Sequence, residues 1–482
     1  MKFLKGIWQW FDHRTGLSDT LGPMMKHVVP ADAKWWYVFG SATMLAFMVQ
    51  VVTGVALAFS YIPSSSQAYD TLRFITEDAA FGRFLRGLHY YGASAMVLMV
   101  GLHMAQVYLH GTYKFPREMN WATGVLLLGF TLVMGFTGQL LRWDQTAVWS
   151  VVVAAEQCAR VPILGDAFAR WVLGGQTVGG ATLSRFFAIH VFVMPACIFA
   201  FIGLHLLLVF RHGISEPPKV GRPVNPKTYP KEYEELLKKR GLPFWPYAAW
   251  RDVVFGTAML LGLVLLAWFF GPPELGKPPD PSIVQADPRP DWYLLWYFAV
   301  LALMPPWMEN YFIVLGPALA WVVLVGFPFV FNKGERHPRR RPWSIAIVIM
   351  VAVTVGAFWW VGIKSPWSPN FKAEPLPERV VGYASGPVAE GAELFHQKGC
   401  LNCHLISSYG GRRGPDLTLV GARLKRNDIV IRISNGGVNM PAFGNNLTPQ
   451  QMDLLVAFLQ SRTNVIAGPL TKSEVTGGSR GS

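Results

Sequence analysis

The chain has 482 residues, of which 52% are hydrophobic and only 15% charged, with 19 Trp and 32 Phe. That composition fits a polytopic membrane protein and excludes an ordinary soluble enzyme. The formal net charge of +14 could suggest nucleic acid, but the basic residues fall in short loops between apolar runs, where they read as anchors beside anionic lipid, so no nucleic acid is expected as a partner.

Residues 1–34 form a polar, amphipathic opening with no short apolar core and small-residue cleavage site, and no cleaved signal peptide is expected. Seven stretches without Asp, Glu, Lys or Arg follow, Trp35–Tyr61, Gly87–Tyr113, Trp121–Leu141, Phe186–Phe210, Val253–Pro273, Tyr311–Phe331 and Trp343–Ile363. Each has about the twenty residues that a bilayer span needs. The expected fold is all-α, a membrane helix bundle of seven spans with a small all-α domain behind it. Its parts are an N-terminal segment 1–34, a four-helix domain 35–215, a loop 216–250, a three-helix domain 251–363, a linker 364–386, a domain 387–462 and a disordered tail 463–482.

Four histidines lie within these apolar runs at near-matching intervals: His89 and His103, and His190 and His205. On an α-helix fourteen residues advance about 21 Å and return to within roughly 40° of the same face, while fifteen advance about 22 Å and overshoot by roughly 60°. Each pair therefore offers two imidazoles to one side at two levels. A lone histidine in a span is readily a hydrogen-bonded packing residue, but four in register on two helices point to two stacked haems with bis-histidine ligation. Gly40 and Gly54 on the first span, and Gly124 and Gly138 on the third, repeat the fourteen-residue interval. Glycine is common where membrane helices pack closely, yet the matched interval suggests room for a haem edge at each level. Arg86 and Arg185 flank one end of the histidine helices and are candidates to pair with haem propionates, or are simple interface anchors.

Loop charge sets the expected orientation. Segments 1–34, 111–118, 211–251 and 332–341 hold 21 Lys and Arg, against 9 in 61–86, 142–185 and 271–310. By the positive-inside rule the N-terminus is cytoplasmic, and seven spans place everything after Ile363 outside.

That outside segment contains Cys400-Leu401-Asn402-Cys403-His404, the C-x-x-C-H of covalent haem c attachment, in which the thiols of Cys400 and Cys403 form thioethers and His404 binds iron. Met440, within Asn439-Met440-Pro441, is the expected second axial ligand; Met452 falls in the amphipathic run Gln451 to Gln460 and reads as a helix residue. Cys158 and Cys197 look inert. The sequence has no Rossmann glycine fingerprint, P-loop or cysteine pattern for an iron–sulfur cluster, so any such cluster would come from another subunit.

The run from about Trp35 to Ile363 resembles cytochrome b of the bc-type quinol:cytochrome c oxidoreductases. The histidines of the second and fourth spans carry the resemblance, together with Pro290-Asp291-Trp292-Tyr293, which in that family usually reads P-E-W-Y and lines the outer quinol-oxidation site. The fifteen-residue interval from His190, Gln50-Val51-Val52-Thr53-Gly54 and Trp143-Asp144-Gln145 look most like the split form of the photosynthetic chain, here with both halves in one chain. Residues 387 to 462 resemble a class I cytochrome c, including Gly414-Pro415, whose proline carbonyl orients the proximal histidine in that family. Three departures stand out: Asp291 is one methylene shorter than the usual glutamate, Arg142 stands where proline is common, and Gln139 where tyrosine is. Val38 occupies the position of the cysteine that holds an extra haem in the photosynthetic branch, so no third covalent membrane haem is expected.

The resemblance implies a bacterial inner-membrane oxidoreductase subunit with two b haems and one c haem. Quinol would be oxidised near Pro290, Asp291, Trp292 and Tyr293, one electron going to a partner Rieske iron–sulfur protein and on to a cytochrome c, the other through an outer haem (His89, His190) and an inner haem (His103, His205) to an inner quinone site. Arg211, His212 and Lys26 are candidates at that inner site. The implied partners are the quinone pool, the Rieske protein, a cytochrome c or terminal oxidase and, from the family, a second copy of the chain. The alternative is a dihaem relay or anchor subunit of another respiratory complex, without bifurcation.

Overall fold

The computed structural model describes residues 2–279, 289–365, 369–370, 372–436, 440, 442–444 and 446–463. It divides into two compact units, 1–360 and 361–482. The expected tail 463–482 lies outside the described residues but for Thr463, as do Asn439 and Pro441.

The first unit contains six of the spans and all but the last four residues of the seventh. Their helices run Phe39–Ala58, Gly82–Leu109, Glu118–Leu140, Gly180–His212, Trp250–Phe269, Trp307–Val330 and Pro342–Lys364. Each is long and apolar enough to cross a bilayer, and each is helical because backbone polar groups can be satisfied there only within the helix itself.

The fourth span departs from regular α geometry. Over Ile189–Val193 it makes one π-helical turn, in which the Met194 amide bonds the carbonyl five residues back, at Ile189. Pro195 follows directly. Proline has no amide proton, and its ring crowds the carbonyl four residues earlier, so an extra residue in the preceding turn relieves the clash. The consequence reaches the histidines. The bulge absorbs one residue of the fifteen between His190 and His205, and the interval becomes equivalent to fourteen. The overshoot of roughly 60° expected from regular geometry is therefore replaced by the roughly 40° offset of a fourteen-residue interval, as between His89 and His103.

The loops sort to two ends. At one, Lys114 donates to the Phe331 carbonyl (2.9 Å), Arg117 to the carbonyls of His212 and Gly213 (3.0 Å each) and to the Tyr229 hydroxyl (2.8 Å), and buried Arg336 pairs with Glu216 (2.5 Å). A short antiparallel pairing joins Val28–Pro30 to Gly241–Pro243. These contacts gather the four Lys/Arg-rich segments at one end of the bundle. Part of that basic charge therefore knits loops together instead of meeting lipid: Arg341 donates to the Tyr113 hydroxyl (3.1 Å), while Arg339 and Arg340 are exposed.

The other end is held by Tyr61 to the Leu141 carbonyl (2.7 Å), Tyr69 to the Gly276 carbonyl (2.9 Å), and fully buried Asp144. One Asp144 oxygen caps the helix Gln145–Ala159 through the Ala147 amide (2.9 Å), and the other accepts from the Gly276 amide (3.0 Å). Midway between the ends, buried Ala46, Phe47, Met96 and Ile198 form an apolar layer between the two histidine levels.

In the second unit, Pro387–Gln397 crosses the C-terminal helix Pro449–Gln460 at Gly391, where any Cβ would overlap the Leu454 carbonyl. Phe395 and Phe458 pack beside that crossing with ring centres 5.5 Å apart and planes tilted at 56°. Part of the segment 364–386 packs on this unit. Glu378–Val381 is helical, Val380 and Val381 are buried in this unit's core, and Arg462 donates to both their carbonyls (2.5 and 2.7 Å).

Candidate functional site

One construction rule recurs four times in the bundle. Each histidine of the second span lies against a glycine of the first, and each histidine of the fourth against a glycine of the third. A Cβ at Gly54 would come 3.2 Å from His89 Cε1, at Gly40 3.3 Å from His103 Cε1, at Gly124 3.6 Å from His205 Cε1 and at Gly138 2.6 Å from His190 Cε1. The glycines were expected to clear room for a haem edge; they clear room for the imidazoles themselves. The margin is tightest at Gly138 and ordinary at Gly124.

His89 and His190 face each other with ring centres 6.3 Å apart and planes at 75°. Two imidazoles bound to one metal ion, with metal–nitrogen bonds of about 2 Å, place their ring centres roughly 6 Å apart. The pair is therefore set at the separation that axial ligation requires.

Their Nδ1 atoms point the other way, onto hydroxyls. His89 Nδ1 lies 2.9 Å from Thr53 Oγ1, His190 Nδ1 3.1 Å from Thr137 Oγ1, and His205 Nδ1 2.9 Å from Thr123 Oγ1. Each of these hydroxyls also donates its single proton to a carbonyl of its own helix: Thr53 to Val49 (2.6 Å), Thr137 to Met134 (3.1 Å) and Thr123 to Met119 (2.9 Å). Toward the histidine it can then only accept. Nδ1 must carry the ring proton, which leaves the Nε2 lone pair for a metal. His103 is the exception, with a buried Nδ1 that has no hydrogen-bond partner among the described residues.

The His89–His190 level opens into a cavity of about 270 Å³ that the tetrapeptide also lines, through Asp291, Trp292 and Tyr293. The Gln139 amide clamps this loop from both sides, donating to the Arg289 carbonyl and accepting from the Asp291 amide (3.2 Å each). Trp292 donates to Ser94 Oγ (3.2 Å), and the Tyr293 hydroxyl to Asp291 Oδ2 (3.4 Å). Gly135 makes space for that hydroxyl, since a Cβ there would overlap it. Burial pushes the Asp291 carboxyl above the usual carboxylate range, while the charge of Arg142 and the Tyr293 hydrogen bond act in the opposite sense. Pro290 belongs to the same turn but is not among the residues lining the cavity.

Arg86 lines this cavity too, held by Thr76 Oγ1 (3.1 Å) and the Pro273 carbonyl (3.0 Å). Arg185 does not line it; its guanidinium donates to the Trp171 carbonyl (2.6 Å). Of the inner-site candidates, Lys26 is exposed, as is Arg211, and His212 offers its backbone carbonyl to Arg117.

In the second unit Cys400, His404 and Met440 line one pocket, and Met452 does not. His404 Nδ1 lies 2.9 Å from the Pro415 carbonyl, an obligate acceptor, so its Nε2 is likewise the free nitrogen. Burial lowers the His404 pKa against the opposing pull of that carbonyl, favouring the neutral imidazole a metal needs. Gly414 lies under the ring, where a Cβ would come 2.6 Å from Cε1.

The family model described as "Cytochrome b/b6/petB" matches residues 24–213, and "Cytochrome b(C-terminal)/b6/petD" matches 279–376. Cytochrome b6 of Prochlorococcus marinus (strain MIT 9515) is 37% identical over 211 residues, which cover 44% of this chain and 97% of that protein. The chain belongs to the cytochrome b/b6 family. Cytochrome b6 of Synechococcus sp. (strain WH7803) matches to the same extent, 37% over 211 residues. A solved structure titled "Hyperthermophilic respiratory Complex III" superposes with a TM-score of 0.62 at 25% identity, over 81% of this chain and 95% of that one. The family model "Cytochrome C oxidase, cbb3-type, subunit III" matches 386–459.

This cytochrome b/b6 protein is thus a haem-binding, multi-pass membrane subunit of an electron-transport oxidoreductase, carrying a cytochrome c domain. Sequence reasoning had named the histidines, the glycines and the loop, and missed Thr53, Thr123 and Thr137. The signal was present: each directly precedes one of the spaced glycines.

Proposed function

We propose that the chain is the quinol-oxidising cytochrome b subunit of a bc-type complex in a bacterial inner membrane, with its N-terminus cytoplasmic and its cytochrome c domain outside. The observation that carries the reading is the single cavity shared by His89, His190, Asp291 and Tyr293. A quinol bound there meets a proton acceptor and an electron acceptor within one apolar space.

When bound, two b haems (His89 with His190, His103 with His205) and one c haem (Cys400, Cys403, His404, Met440) supply one-electron carriers. They would provide one-electron chemistry for a chain that passes one quinol electron to an inner quinone site and the other to a Rieske partner and a cytochrome c, building proton-motive force. The protein's side chains manage the proton. Asp291 accepts it from the quinol hydroxyl, directly or through a water, in its ionised form. The Arg142 charge favours that form against burial, Tyr293 orients the receiving oxygen, and Gln139 fixes the shorter side chain's backbone at the cavity wall. Arg86, which lines the cavity, would pair with a propionate. A homodimer is part of the proposal by family resemblance.

The test is Asp291→Asn in the purified complex. Quinol-driven turnover should fall by roughly a hundredfold or more, as for the loss of a general base, with all three haems present and reducible by dithionite, and Asp291→Glu should retain substantial activity. Wild-type turnover in the Asn variant would demote Asp291 to a structural residue. Finding no quinol-dependent reduction in the native complex would favour a relay subunit.

A further inference from the structure

The cavity that His89 and His190 share with the tetrapeptide is mostly apolar, and most polar side chains on its wall are already committed to the protein. Tyr61 donates to the Leu141 carbonyl, Gln139 clamps the loop, Arg142 pairs with Asp144, Trp292 donates to Ser94, and Tyr293 to Asp291 Oδ2. Tyr90 differs from all of these. It lines the cavity, it is only partly buried, and its hydroxyl has no hydrogen-bond partner among the described residues. Asp291, Arg142 and Tyr293 all lie within electrostatic reach of that hydroxyl. The ring is fixed edge-to-face on Tyr91, with centres 5.2 Å apart and planes at 74°. Tyr90 directly follows His89, and Ser94, which receives the Trp292 indole, stands four residues on and so on the same helix face. The other uncommitted donor on the wall, Gln50 Nε2, is packed against Gly92, where a Cβ would overlap it.

We propose that the Tyr90 hydroxyl contacts the substrate and donates to the quinol oxygen as Asp291 removes its proton. This rests on the quinol site proposed above. Oδ2 of Asp291 is engaged by Tyr293, so Oδ1 is the oxygen left to receive the proton. In that transfer the quinol O–H bond breaks, an O–H bond forms on Asp291, and the negative charge passes from the carboxylate to the quinol oxygen. An unpaired charge is costly in a mostly apolar cavity. A phenol meets it without complication, because it can donate a hydrogen bond and keeps its own proton at neutral pH. Such a bond strengthens only as the charge develops, so it lowers the barrier more than it tightens binding. The work is thus divided on one wall: Tyr293 orients the base, Asp291 takes the proton, and Tyr90 holds the charge left behind.

Steady-state turnover of the purified complex with a short-chain benzoquinol and a short-chain naphthoquinol as probes tests this. Tyr90→Phe keeps the ring and its packing on Tyr91 and removes only the hydroxyl. Its kcat should fall about ten- to a hundredfold, the effect of losing a hydrogen bond to a charged group. KM should change less than about twofold, since the bond is made in the transition state and not in the ground state. All haems should be present and reducible by dithionite. Tyr91→Phe, which is not on the cavity wall, should turn over at the native rate. In an Asp291→Asn background no carboxylate takes the proton, and the further loss from Tyr90→Phe should shrink to less than about threefold, as for residues that act as a unit. A tyrosine that merely supports the fold would cost the same factor in both backgrounds. Native kcat in Tyr90→Phe, a loss confined to KM, equal losses in the two backgrounds, or an equal loss in Tyr91→Phe would each overturn the proposal. Failure of both quinols to reduce the haems of the native complex would overturn the quinol-site reading itself, which the native protein reports without any variant.

Discussion

The bundle and the cytochrome c domain meet the same requirement with different atoms. Under the proposed ligation, an imidazole in each presents Nε2 to iron, so that Nδ1 donates to something fixed while Cε1 clears the neighbouring backbone. At His404 the acceptor is the Pro415 carbonyl and the clearance is Gly414; at His190 they are the Thr137 hydroxyl, aided by the Met134 carbonyl, and Gly138. A loop has carbonyls to spare. A transmembrane helix commits nearly all of its carbonyls to its own ladder, so the acceptor must come mainly from side chains. Threonine suits the task because its hydroxyl proton is absorbed by the helix it stands on, leaving its lone pairs for the neighbour. In the proposed reading the two regions differ in a second respect: two thioethers would hold the c haem whatever its axial ligands do, whereas the b haems would depend on imidazoles alone.

The sharpest way to break this comparison is to remove a ligand in each region. His103→Leu should abolish one b haem completely and leave the other, while His404→Leu should leave the c haem attached and change only its axial spectrum; haem content by pyridine haemochromogen spectra decides. Loss of the c haem from the His404 variant would show that attachment, and not ligation alone, depends on the histidine.

The clearance glycines give a smaller effect and a graded one. Gly138→Ala must displace His190, an overpacking that costs about 1–3 kcal/mol, and should deplete the outer b haem. Gly124→Ala meets His205 at ordinary contact distance and should keep both. Gly414→Ala should perturb the c haem's potential without reducing its content. Equal b-haem loss in the Gly138 and Gly124 variants would mean that the glycines serve helix packing and not the imidazoles.

Replacing Met440 by His should lower the c-haem potential markedly, since a thioether favours reduced iron and imidazole does not. An unchanged midpoint would exclude Met440 as the ligand, despite its place in the pocket with His404.

The smallest expected effect is a displacement along the pH axis. Asp291 must be ionised to accept a proton, so activity falls as pH drops through its pKa. Burial raises that pKa and Arg142 lowers it. Arg142→Gln removes the opposing charge, and the acid limb of quinol oxidation should move to higher pH. A limb that moves to lower pH, or stays in place, would show that Arg142 acts only through its ion pair with Asp144 (3.4 Å).

By itself the sequence determined the seven spans, the two levels of histidines, the covalent haem motif and the quinol-type loop. All of these are periodicities or contiguous motifs, and a bilayer or a haem enforces them locally. It also held the Thr-Gly pairs in plain view, but a threonine beside a glycine has no meaning until a second helix brings an imidazole against it. Only the tertiary structure decided that the glycines clear histidine rings, that the π turn before Pro195 brings His190 into register with His205, that Gln139 clamps the Asp291 loop, and that one cavity joins that loop to His89 and His190. Each of these depends on which helix faces which, and at what rotation. That is settled by packing across the bundle, where a single added methyl or a single missing hydroxyl changes what an imidazole can do.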